Sequence, residues 1–441
     1  MATPENNMMK MAAGVVAAGM MAGRSYGAGS EVLKVALLGC GGRGNGAVRN
    51  CLEADPSVQV VAVADLFENK AKGTREGLMK DEKYKGRINI PEESVYWGFE
   101  CYKKIAKVDC DLVIMATAPA FRGRQLMEAI KAGKNVFTEK PVATDVAGCL
   151  EVMEAAKLAK EKKLAIVCGT QRRHEPHRVE LMKKIHDGVI GELVGGQCYW
   201  FGDGIWYRTP EKGMSELEWQ VHNWYHWTWL SGDQICEQHI HNIDVMNWCF
   251  DGPPKNFLAL GGRCCRDYSE QAKAACAFFN NGKTDGWEKY NGNIWDHITA
   301  EFEYANGARV LSFSGHGPGT GRGDEKIVGT KGTSNCQDTC VDYKGAQIYK
   351  YEDKAQRIDP MVLEHRDLIA SIRKGEPLNE GQRIAESTLT AIGARISAYT
   401  GQSFSWNALL KMKQNLVPTD DQLKAGPGIF PPIAKGVDKL F

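Results

Sequence analysis

Residues 33–44 read LKVALLGCGGRG, a short apolar run that stops on a cluster of glycines. A run of this length and composition predicts a strand buried on both faces of a parallel sheet. Gly39, Gly41 and Gly44 then fall in a G-x-G-x-x-G pattern, with Gly42 and Arg43 between them, where a helix is expected to open. Gly39 permits the tight turn, Gly41 lets the backbone approach a pyrophosphate, and Gly44 lets helix and strand pack closely. The free N–H groups of the helix N-terminus supply partial positive charge for phosphates. A second apolar run, 58–64, ends at Asp65, 21 residues beyond Gly44. A carboxylate there accepts hydrogen bonds from the adenosine ribose hydroxyls and repels a 2′-phosphate, so the expected cofactor is NAD.

Working outward, strands are expected at 111–117, 135–138 and 164–169, alternating with helical stretches such as 145–160. Strands that alternate with helices imply βαβ units and a parallel sheet covered on both faces. Beyond Thr170 the pattern changes. A helix is expected over 176–187, then longer alternating runs at 192–201, 256–263, 296–304, 308–314 and 325–330, the signature of an open, largely antiparallel sheet. Helices are expected over 360–374 and 380–399. The fold class is therefore α/β plus α+β: an N-terminal Rossmann dinucleotide-binding domain and an open-faced, mostly antiparallel sheet domain. The expected divisions are a leader or N-terminal arm (1–30), the NAD-binding domain (31–171), the substrate domain (172–400) and a tail over the surface (401–441).

Lys plus Arg is 55 and Asp plus Glu is 54 in 441 residues, with no long basic run, which argues against nucleic acid or an anionic membrane as partner. The 14 cysteines form no C-x-x-C pair and are expected to pack as small buried hydrophobes. Residues 11–23 are small and apolar, too few to span a bilayer, and fit either an export leader or an arm against a neighbouring subunit. An exported, periplasmic location follows from the first reading and a cytoplasmic one remains open beside it.

Three segments carry the expected chemistry. Glu139-Lys140-Pro141 follows the strand 135–138, and ligands of doubly wound sheets bind beyond the carboxyl ends of strands, which puts Lys140 near the nicotinamide. Glu237, His239, His241 and Asp244 form the second group; on one helix, Glu237 and His241 share a face at i,i+4. Taking hydride from a secondary alcohol also requires taking the hydroxyl proton, for which a histidine has a suitable pKa and a lysine can assist. Gln171, Arg172 and Arg173 bridge the domains and are expected to meet substrate or nicotinamide amide. Seven of 11 tryptophans fall within 200–248. Trp248 is expected in the core, and Trp206, Trp224 and Trp227 are expected to form an aromatic wall for a glycoside. The histidines 222, 226, 239 and 241 with Glu237 carry ligand chemistry, but hydride transfer needs no metal and none is expected. His316, in a glycine-rich loop, is a candidate general acid.

These motifs resemble the Gfo/Idh/MocA family of oxidoreductases. Besides Gly39–Gly44 and Asp65, the resemblance rests on Thr117-Ala-Pro119, Ala132-Gly-Lys134, Glu139-Lys140-Pro141, Gln171-Arg-Arg173, the run 186–191, the run 237–244 and Arg395–Gly401 with Trp406. The resemblance implies a sugar or cyclitol substrate and tightly held NAD, with Thr117, Pro119, Glu139, Lys140, Gln171 and Arg172 at the cofactor. It implies that Lys140, Glu237 and His241 are catalytic, and that Arg173, His239 and Asp244 lie with the tryptophans at the substrate. Glu237 stands where the family usually has Asp, and Arg122 where many members have His. The expected activity is NAD-dependent oxidation of a ring hydroxyl of a sugar, glycoside or cyclitol, with glycoside C3 the favoured position. The alternative is an NAD-dependent glycosidase or lyase working by transient oxidation and elimination. An open sheet face left apolar implies a homo-oligomer.

Overall fold

The computed structural model describes residues 32–425 apart from 318, 320 and 353–357. The expected leader or arm (1–30) and the end of the tail, 426–441, lie outside the described residues.

The N-terminal sheet has six parallel strands, β1 (Leu33–Leu38), β2 (Val58–Asp65), β3 (Val95–Trp97), β4 (Leu112–Met115), β5 (Asn135–Thr138) and β6 (Ile166–Cys168), in the order β3-β2-β1-β4-β5-β6. The order reverses between β1 and β4, so the turn after β1 opens onto the crevice where doubly wound folds bind ligands. The helix Gly42–Ala54 follows that turn with no side-chain cap at Gly41, leaving its first N–H groups for a ligand. The three glycines meet three different demands. Gly39 has φ +99° and a Cβ there would lie 2.5 Å from the Ala116 carbonyl carbon. A Cβ on Gly44 would lie 1.8 Å from the Gly39 oxygen, whereas Gly41 faces open space.

The second sheet has nine strands: β7 (Leu193–Gly202), β8 (Asn256–Gly262), β9 (His297–Glu303), β10 (Arg309–His316), β11 (Glu325–Gly329), β12 (Gly332–Ser334), β13 (Thr339–Asp342), β14 (Gln347–Lys350) and β15 (Phe404–Ser405), ordered β14-β13-β12-β11-β7-β10-β9-β8-β15. Every neighbouring pair is antiparallel except β7 with β10. The helix Gly381–Thr400 crosses one face of this sheet so closely that a Cβ on Gly393 would meet the Phe257 ring at 2.7 Å. Strand alternation turns Leu258, Leu260 and Leu311 to the opposite face, where they are exposed.

Two sequence expectations differ from this architecture. The helix Pro360–Lys374, expected within the substrate domain, returns to the parallel sheet, where Leu368, Ile369 and Ile372 share a core with Phe137. Its periodicity predicts an apolar face but carries no address for that face. The second concerns the run 237–244, which is not one helix. Asp233, at φ 77°, starts a single turn, Gln234–Glu237, and a second helix, Ile240–Cys249, begins after a break at Gln238 and His239. Twelve of the 14 cysteines are buried, and all are free. No helix among the described residues is long and apolar enough to cross a membrane.

Candidate active site

The turn after β1 forms one cleft with the ends of β2 and β4. Gly39, Gly41, Asp65, Thr117, Phe99 and Trp224 line it. Asp65 is placed by the backbone: Oδ2 accepts from Cys40 N at 2.7 Å and Oδ1 from Phe67 N at 2.9 Å. Burial pushes its pKa up, and these N–H donors hold it back. The open approach at Gly41, the uncapped helix and a fixed carboxylate fit the phosphates and ribose of a dinucleotide. Pro119 starts the helix Pro119–Lys131 beside this cleft, and Thr117 Oγ1 donates to Gln125 Oε1 at 2.6 Å.

At the end of β5, Glu139 accepts from Arg43 Nε at 2.6 Å, so this guanidinium is committed to Glu139. A Cβ on Gly169 would lie 2.5 Å from Glu139 Oε2; only glycine leaves this carboxylate its place. Lys140, the next residue, reaches across to the other domain. Its Nζ donates to the Glu237 carbonyl at 2.6 Å and to Glu237 Oε1 at 3.1 Å. Both side chains are buried. Glu237 Oε2 and His241 Nδ1 are buried with no hydrogen-bond partner. Burial, then the positive charges of Lys140 and Arg172, hold the His241 imidazolium well below its usual pKa, so the ring is neutral. Burial pushes the Glu237 carboxyl up, against the pull of Lys140 and Arg122.

The Lys140 ammonium, just beyond the carboxyl end of β5, thus meets a carboxylate with one oxygen unused, and the neutral His241 imidazole lies within the influence of its charge. An unpaired buried polar atom costs free energy unless a ligand completes it. Glu237 Oε2 and His241 Nδ1 are two such atoms, four residues apart in the chain.

Other expected site residues are placed differently. His239 is fully buried; its Nε2 meets Ser312 Oγ at 2.7 Å, and burial holds its pKa down to about 3. It is part of the packing between helix and sheet and cannot contact substrate. Asp244 is 1% exposed and its carboxylate is filled by Arg173 at 2.8 and 3.0 Å, Arg383 at 3.1 Å and Ser387 at 2.7 Å. Arg173 is bound by the same pair and lies over the Trp248 ring at 4.7 Å. Both are therefore corrected from substrate contacts to an internal ion network. Arg172 and Asn242 donate to the buried Glu325, and Gln171 sits half-buried on the turn Gln171–His174. Trp227 is 1% exposed, in a core with Trp219 and Trp229, and offers no wall. Trp224 lies in the dinucleotide cleft, 6.3 Å from Trp206, which is exposed beneath the Arg208 guanidinium. The spacing of aromatics along the chain carries no information on which ring faces out.

Sequence reasoning named Arg122 only as a departure from the family pattern and missed Tyr225. The buried Arg122 donates to the Thr117 carbonyl at 2.9 Å and the Pro141 carbonyl at 2.6 Å, tying the two halves of the cleft floor. Tyr225, buried, has its hydroxyl 2.9 Å from His316 Nε2. The histidine in a glycine loop was the available signal for this pair. His222, His226, His239 and His241 do not form a metal-ligand group with Glu237 among the described residues.

Comparison with known proteins places the family and the fold. Residues 33–184 match the family model described as "Oxidoreductase family, NAD-binding Rossmann fold", and residues 179–335 match the model "GFO/IDH/MocA C-terminal domain". Inositol 2-dehydrogenase of Acidothermus cellulolyticus is 26% identical over 231 residues, 52% of this chain and 57% of that protein. The Rhodococcus jostii inositol 2-dehydrogenase is 30% identical over 224 residues, 51% of each. The chain spans about half the length of the curated relatives it matches. Among solved structures, the aldose-aldose oxidoreductase of Caulobacter crescentus superposes with TM-score 0.62 at 17% identity, over 85% of this chain and all of that one. Scyllo-inositol dehydrogenase of Lactobacillus casei superposes with TM-score 0.59 at 15% identity, over 85% of this chain and 98% of that one. At these identities the structural likeness is one of fold.

Proposed function

Because the chain belongs to the Gfo/Idh/MocA family of NAD-binding oxidoreductases, we propose that it oxidises a ring hydroxyl of a cyclitol or sugar. The observation that carries this reading is the cross-domain contact of Lys140 with Glu237, beside the unpartnered Glu237 Oε2 and His241 Nδ1. NAD, held between the glycine turn and Asp65, supplies the hydride acceptor. His241, neutral through burial, takes the hydroxyl proton at Nδ1. Glu237 Oε2 accepts a hydrogen bond from a neighbouring hydroxyl and orients the ring. Lys140 steadies the alkoxide as charge develops on the reacting oxygen. The relatives named as inositol 2-dehydrogenases support a cyclitol. Exposed Trp206 supports a glycoside, since a flat apolar sugar face stacks on an indole, and C3 is the position we propose for its oxidation.

The Tyr225–His316 pair favours a second reading, a glycosidase or lyase. Oxidation at C3 would acidify the C2 proton, and its loss would expel the aglycone, which departs as its alcohol and leaves a C1–C2 double bond behind. A glycosidase would then add water across that bond and a lyase would not. With NAD bound, the hydride would return to C3, so no net oxidation occurs. A panel of cyclitols, sugars and nitrophenyl glycosides separates the two. Loss of two hydrogens from the product with NADH formed supports dehydrogenation; aglycone release without NADH supports the second reading. No change in any compound contradicts both.

A further inference from the structure

Away from the dinucleotide cleft, the chain leaves the second sheet at the end of β8 and does not return until β9. Cys264 stands at the exit, and Asp296 and His297 at the re-entry 32 residues later. Cys264 Sγ lies 3.7 Å from Asp296 Oδ1 and 3.7 Å from His297 Nδ1, and the two latter atoms are 2.6 Å apart. The three donor atoms fall within 4.8 Å of one another.

Asp296 is buried, and its two oxygens have separate partners. Oδ2 accepts three backbone N–H groups, from Cys264 at 2.7 Å, Cys265 at 2.6 Å and Arg266 at 2.9 Å. That wraps the exit turn around the carboxylate and fixes where Cys264 stands. Oδ1 is left facing the thiol and the imidazole.

We propose that Cys264, Asp296 and His297 bind one zinc ion, which clasps the base of the 264–296 excursion. Thiolate, imidazole and carboxylate are the ligand types of zinc, a borderline-soft cation. Bonds of about 2.0–2.3 Å in a tetrahedron put neighbouring ligand atoms roughly 3.3–3.8 Å apart. The two separations from sulfur already meet that, and the half-exposed His297 ring opens the third by a small rotation. On binding, the Cys264 thiol gives its proton to water as the Zn–S bond forms, and water fills the fourth position. The three N–H bonds to Oδ2 are the outer support that orients a metal-bound carboxylate. The excursion carries the helix Ser269–Phe279, and its exit turn lends Arg266 to His226; Cys265 and Asp296 border a cleft with His316. Closing a long loop at its base recovers loop entropy and stiffens that wall.

The test uses the full chain, stripped with a chelator, then dialysed against zinc or cobalt and measured for metal content, absorption and proteolysis. One equivalent of zinc per chain is expected, with a sulfur-to-cobalt charge-transfer band on cobalt loading. Cys264→Ser and His297→Ala each lower zinc affinity by at least about a hundredfold, since losing a ligand costs more than losing an outer partner. Cys265→Ser, whose sulfur lies 3.4 Å from Cys264 Sγ but outside the triad, keeps the site. Zinc protects the 264–296 excursion from protease in the wild type and in Cys265→Ser only. Equal zinc binding by wild type and Cys264→Ser, or equal loss in Cys265→Ser, overturns the proposal.

Discussion

Asp65 and Asp244 show how little an acidic residue's position in a motif says about its work. Both carboxylates are buried, but Asp65 is held by two backbone N–H groups at the edge of a cleft. It lines that cleft with Gly39 and Gly41, where a dinucleotide's adenosine ribose is expected. Hydrogen bonds to a charged group are worth about 1.5–3 kcal/mol, so Asp65→Ala is predicted to weaken NAD roughly 10–100-fold by fluorescence titration. Asp244 instead neutralises Arg173 and Arg383 inside the protein. Asp244→Ala leaves the Arg173 guanidinium uncompensated and Arg383 with Glu380 alone, and is predicted to cost about 3–5 kcal/mol in chemical denaturation, the range for a broken buried pair. An unchanged denaturation midpoint would count against the network. The motif residues of the dinucleotide cleft are legible because each glycine answers a backbone demand that sequence order fixes. The substrate side is less so: His239 and Asp244 lie in the same run as His241, and only the break at Gln238 and His239 decides which side chains reach the cleft.

The helix Pro360–Lys374 packs against the sheet that carries the dinucleotide cleft. His365 on this helix is fully buried, its ring centroid 4.0 Å from that of Phe137 and tilted 33° to it, with both ring nitrogens unpartnered. Burial, then the charges of Arg43 and His174, hold its pKa down to about 3. An unfolded chain protonates this residue below about pH 6.5, the folded one only near pH 3, so acid favours unfolding across that window by about 1.4 kcal/mol per pH unit. His365→Phe removes this contribution. Its stability relative to wild type is predicted to rise by about 2 kcal/mol between pH 7 and pH 5. Denaturation midpoints at the two pH values check this, and parallel shifts in both proteins would refute it. The helix itself is legible in its periodicity, with the expected ends 360–374. Its partner is not, because an apolar face fits either sheet, and only chain return over some two hundred residues delivers it to the first.

For the whole molecule, the two sheets follow from a change in pattern near Thr170, where short apolar runs give way to longer alternating ones. The strand order of the second sheet, with β7 parallel to β10, is not written in any local pattern. Leu258, Leu260 and Leu311 stay exposed on the face opposite the helix Gly381–Thr400. We propose that a second copy of the chain covers this face, since apolar area of this kind is seldom left to water. Leu260→Glu is predicted to shift the sedimentation coefficient to that of a monomer, with NAD affinity kept; an unshifted coefficient places any interface elsewhere.

In the proposed reaction His241 takes the proton while Lys140 and Glu237 frame the reacting hydroxyl. Single-turnover hydride transfer, measured on His241→Ala with NAD affinity determined in parallel, tests it most directly. With a cyclitol or sugar that the wild type oxidises, the transfer rate is predicted to fall about 10²–10⁴-fold while the dissociation constant for NAD stays within about twofold. A transfer rate close to that of the wild type, at unchanged NAD affinity, would contradict the account.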